Sequence, residues 1–339
     1  MPLDAASQRM LEAMRATNAP PLHQIPLAEA RARALRNLPA LADGLTMSHE
    51  EDVLIDSAAP VVVRVFKPAP TTRGVILVFH GGGWVLGNVS AVTPMSRHLA
   101  QLAEMTVVAV EYRKAPEYRY PAAVDDAVRA VDWAVAHRDR LTGCPGAPVA
   151  VLGESAGGNL AAAAALCRSD VLAAQVLCCP VTDHTMDYPS YQDPSNQLTL
   201  TSEAMAYFWN RYLPEAARRS EPRASPLRAV SLAGAPPAMV ILAEYDILRD
   251  EGRAYADGLA AAGVPVLSHV AKGQMHGFLS NVNVLPAALS TLEAAAAFLR
   301  MSGRRPLLLQ SRRGDAHQFF ESEGGHGESG GHAAGREVP

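Results

Sequence analysis

Residues 153–157, Gly-Glu-Ser-Ala-Gly, have the G-x-S-x-G pattern in which a nucleophilic serine stands on a sharp turn. Val149–Leu152 before it predict a short strand, and Ala161–Leu166 after it are strong helix formers. The backbone between them has to turn tightly, and flanking glycines avoid a Cβ that would collide with either element. Small residues are common in this chain, so the pattern alone also fits an ordinary turn. Its context decides whether Ser155 is a nucleophile.

A glycine-rich segment, His80-Gly81-Gly82-Gly83-Trp84, follows the apolar run Val75–Phe79. Acyl transfer passes through a tetrahedral oxyanion, which backbone N–H groups stabilise. We expect the amides of Gly81 and Gly82, together with that of Ala156, to form this oxyanion hole. A flexible loop after a buried strand is the alternative, and the nearby serine motif disfavours it.

A nucleophilic serine needs a general base, and His276 is the predicted one. It lies in a loop bounded by Gly273 and Gly277, just after the strand-like segment Val264–Val270. His269 lies inside that segment, where a structural histidine is the favoured interpretation. His184 and three histidines near the end of the chain also follow Ser155 in sequence.

The predicted acid that orients this base is Asp246. It follows the apolar segment Ala238–Leu242, which predicts a buried parallel strand, so it lies near the carboxyl end of that strand. Asp250 and Glu251 are alternatives, but they open the next helix, where carboxylates favour the positive N-terminus without any catalytic role. Glu244 is the remaining alternative.

These residues are positioned by strands that alternate with helices, the pattern of a doubly wound sheet. The predicted strands are Val61–Phe66, Val75–Phe79, Val107–Glu111, Val149–Leu152, Gln175–Cys179, Ala238–Leu242 and Val264–Val270.

With these residues in view, the chain resembles the hormone-sensitive-lipase-like branch of the α/β-hydrolases, a group of bacterial esterases and lipases. The resemblance covers about residues 5–300 and includes several motifs in the expected order. Besides residues 80–83 and 153–158, these are residues 111–117, 121–126, 225–227, 246–251 and 276–278. The resemblance implies an α/β-hydrolase fold, with a mostly parallel sheet flanked by helices and a helical cap. It also implies carboxylic ester hydrolysis without a metal or an organic cofactor.

Two residues depart from the family pattern. Glu154 stands where the branch usually has aspartate, which keeps the charge but lengthens the reach of the side chain. Asn88 stands where aspartate is common. These changes concern the loops near the substrate and leave the order Ser155, Asp246, His276 unchanged.

The predicted domain organisation has a catalytic unit and a cap. Residues 46–182 and 223–302 form the catalytic unit, and residues 183–222 a cap or lid insert. Residues 1–45, with helices over Ala5–Ala16 and Pro26–Asn37, form the N-terminal part of the cap. The alternative for these N-terminal residues is an arm packed on the catalytic unit.

An aromatic cluster near the insert is predicted either to line the substrate pocket or to belong to the core. Its candidate pocket residues are Trp84, Tyr188, Met205, Phe208 and Trp209.

Residues 303–339 are rich in Gly, Arg and His, and we expect a disordered tail there. Its histidines, His317, His326 and His332, have no compact metal-ligand spacing, so we expect no metal site.

Composition excludes several other classes of function. The 339 residues carry a net charge of -4 with both signs mixed, so we expect no nucleic-acid partner and no binding to an anionic membrane surface. The apolar runs are too short to span a bilayer, and Met1–Ala19 lack the apolar centre of a secretory signal. A homodimer is one assembly that the sequence allows.

The four cysteines, Cys144, Cys167, Cys178 and Cys179, have no C-x-x-C pair and no dense disulfide spacing. We expect reduced thiols in the core and a cytoplasmic location. Cys178 and Cys179 end a predicted strand, where adjacent side chains point to opposite faces.

Together these residues predict a serine carboxylesterase that hydrolyses short- to medium-chain esters of small molecules through an acyl-enzyme. An acyltransferase, an amidase or a lactonase on the same fold is the first alternative. A non-catalytic module that binds small molecules is the second, because a hydrolase fold can keep its pocket and lose its chemistry.

Overall fold

One eight-stranded sheet organises the computed structural model, which describes residues 2–36, 45–56 and 60–302. Its strands are β1 (His49–Asp56), β2 (Val61–Lys67), β3 (Val75–Phe79), β4 (Thr106–Glu111), β5 (Val149–Glu154), β6 (Leu172–Cys178), β7 (Ala238–Tyr245) and β8 (Val266–Met275). The order across the sheet is β1-β2-β4-β3-β5-β6-β7-β8. β2 pairs antiparallel with β1 and β4, and every other neighbouring pair is parallel. This confirms the predicted mostly parallel sheet.

Helices cover both faces of the sheet. They are α1 (Ala5–Ala16), α2 (Leu27–Arg36), α3 (Val89–Ala103), α4 (Ala122–Thr142), α5 (Ala156–Cys167), α6 (Pro189–Gln192), α7 (Ser202–Tyr212), α8 (Arg249–Ala261) and α9 (Pro286–Ser302). α3 and α9 pack on one face, and α4, α5 and α8 pack on the other. The strand order reverses between β3 and β5, and the carboxyl ends of strands at such a point leave a crevice for a ligand.

Strand β1 was missed by the sequence analysis, which begins the sheet at Val61. Its first residues include Glu50, Glu51 and Asp52, which hide the apolar alternation of a strand. As the edge strand it pairs on one side only, and these acidic side chains are exposed. An edge strand tolerates and even benefits from charge, because charge discourages pairing with another chain.

Cys179 also departs from the prediction. β6 ends at Cys178, and Cys179 has a φ of 43° instead of an extended backbone. The two side chains therefore do not alternate across the sheet, and their sulfur atoms lie 3.9 Å apart. Both are buried, and all four cysteines of the chain are free thiols.

The insert between β6 and β7 begins and ends at neighbouring points beside the sheet. The side-chain amide of Asn159, buried in α5, donates to the carbonyl oxygens of Val181 (2.9 Å) and Ala224 (2.8 Å). α6 and α7 lie between these two points, and the ring of Tyr207 in α7 lies 6.2 Å from that of His23. The two predicted cap segments thus touch, while the division into cap and catalytic unit stays a prediction.

Helix α1 is attached to the end of β8. The backbone N–H of Asp4 donates to the carbonyl oxygen of Gly273 (3.0 Å), and its carboxylate accepts from the amide of Gln274 (2.6 Å). The buried Ser7 hydroxyl donates to the same Gln274 side chain (3.1 Å). The beginning of the described chain therefore holds the strand that leads to His276.

The tail prediction, including its three histidines, falls on residues 303–339, which lie outside the described residues. Across the part of the chain that is described, no helix has both the length and the apolar character needed to cross a membrane.

Two aspartates of α4 allow the contribution of a buried ion pair to stability to be compared with that of an exposed ion pair. Asp126 is fully buried and accepts from both the guanidinium (2.6 Å) and the backbone N–H (2.9 Å) of Arg113. Asp126→Ala leaves these donors unpaired, so we expect the free energy of unfolding to fall by about 3–5 kcal/mol in urea titrations. Asp132 pairs with Arg168 at the surface, and Asp132→Ala is expected to cost less than about 1 kcal/mol. Equal losses would contradict this ranking.

Candidate active site

Ser155 lies on the turn between β5 and α5, and α5 starts at Ala156, directly after the serine. Its backbone has φ 59° and ψ −121°, a conformation that non-glycine residues rarely adopt. A Cβ on Gly153 would lie 2.0 Å from the carbonyl oxygen of Gly157, and a Cβ on Gly157 would lie 2.0 Å from that of Phe79. Glycine is required at both positions because strand and helix approach so closely.

The three residues predicted for catalysis lie together at the carboxyl edge of the sheet. Ser155 Oγ lies 2.9 Å from His276 Nε2, and His276 Nδ1 lies 2.8 Å from Asp246 Oδ2. Asp246 follows β7 directly and is fully buried, and its other oxygen accepts from the backbone N–H of Leu248 (3.0 Å). Neighbouring parallel strands end at one edge, so residues far apart in sequence meet there.

Charge at this site centres on His276. Burial by itself lowers the pKa of His276, but the Asp246 carboxylate outweighs it and raises that pKa well above its usual value. Ser155 is 8% exposed and the His276 side chain 11%, so little of the pair is accessible to water. The pair can transfer a proton in surroundings largely free of bulk water.

The glycine segment after β3 lies beside the serine. A Cβ on Gly81 would lie 3.5 Å from the Ser155 Cβ, which places this backbone next to the nucleophile. The ring of His80 stacks on Tyr112 at 4.2 Å, and the Tyr112 hydroxyl donates to the His80 carbonyl oxygen (2.8 Å). Burial lowers the pKa of His80 to about 4, so this imidazole is neutral at pH 7. It holds the loop and carries no charge.

The aromatic cluster divides into core and surface-facing parts. Trp84 and Trp209 have no exposed surface and pack with Tyr212, whose ring stacks on that of Trp84 at 4.2 Å. For these two tryptophans the core interpretation applies. Met205 is also buried in this core.

Phe208 lies against the glycine segment, since a Cβ on Gly83 would lie 2.2 Å from its Cγ. Its side chain keeps a small exposed fraction of 8%. Tyr188 is partly buried and donates its hydroxyl to Asp183 (2.8 Å). Phe208 therefore contacts the glycine segment at Gly83.

The alternative histidines lie elsewhere. His269 is in β8 as predicted, but its side chain is exposed, so the interpretation as a packed structural histidine is wrong. β8 is an edge strand, and this explains the exposure. His184 lies in the insert with Nδ1 3.3 Å from Asp183 Oδ1.

The alternative acids also have other partners. Their carboxylates accept from backbone N–H groups as follows: Glu244 from Gly273 (2.8 Å), Asp250 from Ser190 (2.9 Å) and Glu251 from Thr182 (2.7 Å). Glu251 is fully buried and also accepts from the Tyr191 hydroxyl (2.8 Å). Glu251 therefore links α8 to the start of the insert. This link is additional to the role at the helix N-terminus that its position predicts.

One group of side chains could be considered for a metal ion in the described part of the chain. Donor atoms of Cys179, Asp246 and His276 lie within 4.8 Å of one another. The contact with Cys178 and burial raise the pKa of the Cys179 thiol well above its usual value, which disfavours the thiolate that a metal requires. Because Asp246 and His276 already bind each other, the donor set suits proton transfer better than metal binding.

Sequence reasoning missed contacts that hold the His276 loop. The Thr199 hydroxyl, from the insert, donates to the His276 carbonyl oxygen (2.8 Å). Glu154 accepts from the backbone N–H of Leu279 (3.0 Å) and from the Ser280 hydroxyl. The position of Glu154 next to Ser155 was a signal in the sequence, whereas nothing near Thr199 indicated its contact.

Comparison with known proteins agrees with this geometry. A family described as the alpha/beta hydrolase fold matches residues 76–280. The esterase LipI of Mycobacterium tuberculosis is 38% identical over 261 residues, which cover 74% of this chain and 81% of LipI. The ethyl acetate hydrolase of Pseudomonas putida is 35% identical over 300 residues, 84% of this chain and 93% of that protein.

Solved structures show the same similarity. The crystal structure of a thermostable esterase from Pseudomonas putida ECU1011 has a TM-score of 0.84 and 34% sequence identity, and the match covers 90% of this chain and 99% of that one. Fold, motifs and relatives agree, and the chain belongs to the hormone-sensitive-lipase-like branch of the α/β-hydrolase family.

Proposed function

We propose that this carboxylesterase hydrolyses short- to medium-chain carboxylic esters through an acyl-enzyme on Ser155. The observation that carries the proposal is the hydrogen-bonded chain from Ser155 Oγ to His276 (2.9 Å) and on to Asp246 (2.8 Å). Such a chain converts a weakly nucleophilic hydroxyl into one that attacks a carbonyl carbon.

In the acylation half-reaction, His276 Nε2 accepts the Ser155 proton as Oγ attacks the ester carbonyl. Asp246 stabilises the imidazolium that forms. The backbone N–H groups of Gly81, Gly82 and Ala156 donate to the oxyanion. Collapse of the intermediate breaks the C–O bond of the ester, and the alcohol leaves with the proton that His276 held.

In the deacylation half-reaction, a water molecule takes the place of the alcohol. His276 accepts a proton from it as its oxygen attacks the acyl carbon. The same backbone donors stabilise the second oxyanion, and the carboxylic acid leaves as Ser155 regains its proton. Every group in this cycle belongs to the protein, the ester or water.

The proposed limit on acyl length rests on Phe208. Its ring lies against Gly83, within the segment expected to hold the oxyanion, and we infer that it limits the length of the acyl chain. The name of the ethyl acetate hydrolase indicates that this relative acts on a very small ester. A small neutral ester also suits a chain with a net charge of only -4.

We further infer a cytoplasmic location, because all four cysteines are free thiols, including two whose sulfur atoms lie 3.9 Å apart. A homodimer is one assembly that the sequence allows, and it stays a prediction.

Replacement of Ser155 tests the nucleophile. Ser155→Ala should lower kcat for p-nitrophenyl acetate by about 10⁴-fold or more, because the attacking oxygen is removed. The unchanged fold is checked by the melting temperature, and Ser169→Ala in the exposed turn after α5 serves as the control. Substantial turnover by Ser155→Ala would refute the assignment.

The pH dependence tests His276 and Asp246. A general base accepts a proton only when it is neutral, so activity should be lost as the pH falls through the His276 pKa. Because that pKa is raised, the midpoint of the acid limb of kcat/KM should lie above about 6.5. Asp246→Asn removes the charge that raises it and should move the midpoint down while kcat falls about 10⁴-fold. An unchanged midpoint in Asp246→Asn would contradict this assignment.

The acyl-length profile tests the role of Phe208. The wild-type enzyme should prefer p-nitrophenyl esters with acyl chains of about two to eight carbons, and Phe208→Ala should shift the maximum of kcat/KM to longer chains. Phe298→Ala, on α9 at the opposite face of the sheet, should leave the profile unchanged. A wild-type maximum at dodecanoyl esters would overturn the proposed substrate class.

A further inference from the structure

Glu154 links the strand that carries the nucleophile to the loop that carries the base. It is the last residue of β5 and is 4% exposed. One carboxylate oxygen accepts from the backbone N–H of Leu279 (3.0 Å), and the other accepts from the Ser280 hydroxyl. Leu279 and Ser280 follow His276 closely, at the start of a short helical turn over Leu279–Asn281. The Glu154 side chain thus joins the end of β5, next to Ser155, to the loop that carries His276.

We propose that Glu154 is a positioning residue for His276, which sets the distance between the base and Ser155. The inference rests on the proposed function, because it concerns the same reaction. The Leu279 and Ser280 contacts lie 125 and 126 residues away in sequence, so they hold a loop that few local interactions would fix. A displacement of about 1 Å at a reacting group can cost about a hundredfold in rate.

Charge gives Glu154 a second effect on the same base. The titratable groups around His276 come from three elements: Asp246 after β7, Cys179 after β6 and Glu154 at the end of β5. Burial raises the pKa of Glu154, while the Ser280 hydroxyl and the charge of His276 oppose that rise. Interaction between two charges is mutual, so an ionised Glu154 favours the imidazolium form of His276.

The length of the side chain matters as well as its charge. Aspartate is shorter than glutamate by one methylene and keeps the charge. In this protein the Glu154 carboxylate bridges two donors, the amide of Leu279 and the hydroxyl of Ser280. Variants can therefore separate reach from charge.

The test measures kcat and KM for p-nitrophenyl acetate from acid to alkaline pH. Glu154→Gln removes the charge and should lower kcat by about tenfold or more, leave KM within about twofold and move the acid-limb midpoint to lower pH. Glu154→Asp should retain the midpoint but lower kcat. Ser280→Ala, which removes one contact and keeps the charge, should lower kcat several-fold at an unchanged midpoint.

Two controls make the outcome decisive. Glu104→Gln, at an exposed carboxylate that pairs with Arg73, should change neither kcat nor the midpoint. The combined loss in the double variant Glu154→Gln/Ser280→Ala should be smaller than the product of the two single losses, because both changes act on the same contact. If Glu154→Gln does not fold, Glu154→Asp and Ser280→Ala carry the test.

The proposal is overturned if Glu154→Gln keeps the wild-type kcat and midpoint, or if Ser280→Ala and Glu154→Asp both behave as wild type. Failure of the proposed function has a different result, namely activity that persists in Ser155→Ala. An inactive Ser155→Ala together with a normal Glu154→Gln would refute the positioning role alone.

Discussion

The close crossing of α5 over the ends of β3 and β5 is the constraint on which the site depends. With a carbonyl oxygen 2.0 Å from where a Cβ of Gly157 would be, only glycine allows helix and strands to approach this closely. The approach places Ser155 in its unusual conformation at the start of the helix and brings the glycine segment beside it. A larger residue at Gly153 or Gly157 would push the helix outward and separate the serine from the glycine segment. Packing and chemistry are therefore inseparable at this turn.

His276 is positioned differently from Ser155, because its place depends on hydrogen bonds. It is held by contacts from several parts of the chain: Asp246 to its ring, Thr199 to its backbone and Glu154 to the turn that follows. Asp4 and Ser7 reach the preceding residues through Gly273 and Gln274. The serine turn and the His276 loop together keep Ser155 Oγ and His276 Nε2 within hydrogen-bonding distance.

Much of the fold and the site could be predicted from the sequence, because the patterns that indicate them are local. The fully buried strand β3 is a continuous apolar run, and Ser155 and Asp246 each follow such a run. His276 follows the strand-like segment Val264–Val270, so the meeting of the three residues at one edge could be predicted. Features that depend on tertiary contacts could not be predicted from the sequence. β1 is acidic because it lies at the edge, His269 is exposed because β8 is the other edge, and Cys179 bends away because the strand has already ended. The contact of Thr199 with the His276 backbone joins residues 77 apart and leaves no pattern in the sequence.

Asn159 has a consequence for how this protein can change over evolutionary time. Its side-chain amide donates to the carbonyl oxygens of Val181 and Ala224, and so fixes the two ends of the insert beside the sheet. Substitutions, insertions or deletions between these two points can alter the surface above the serine without moving β6 or β7. Variation in the insert is limited at the residues that reach into the site, such as Thr199, whose hydroxyl holds the His276 carbonyl oxygen.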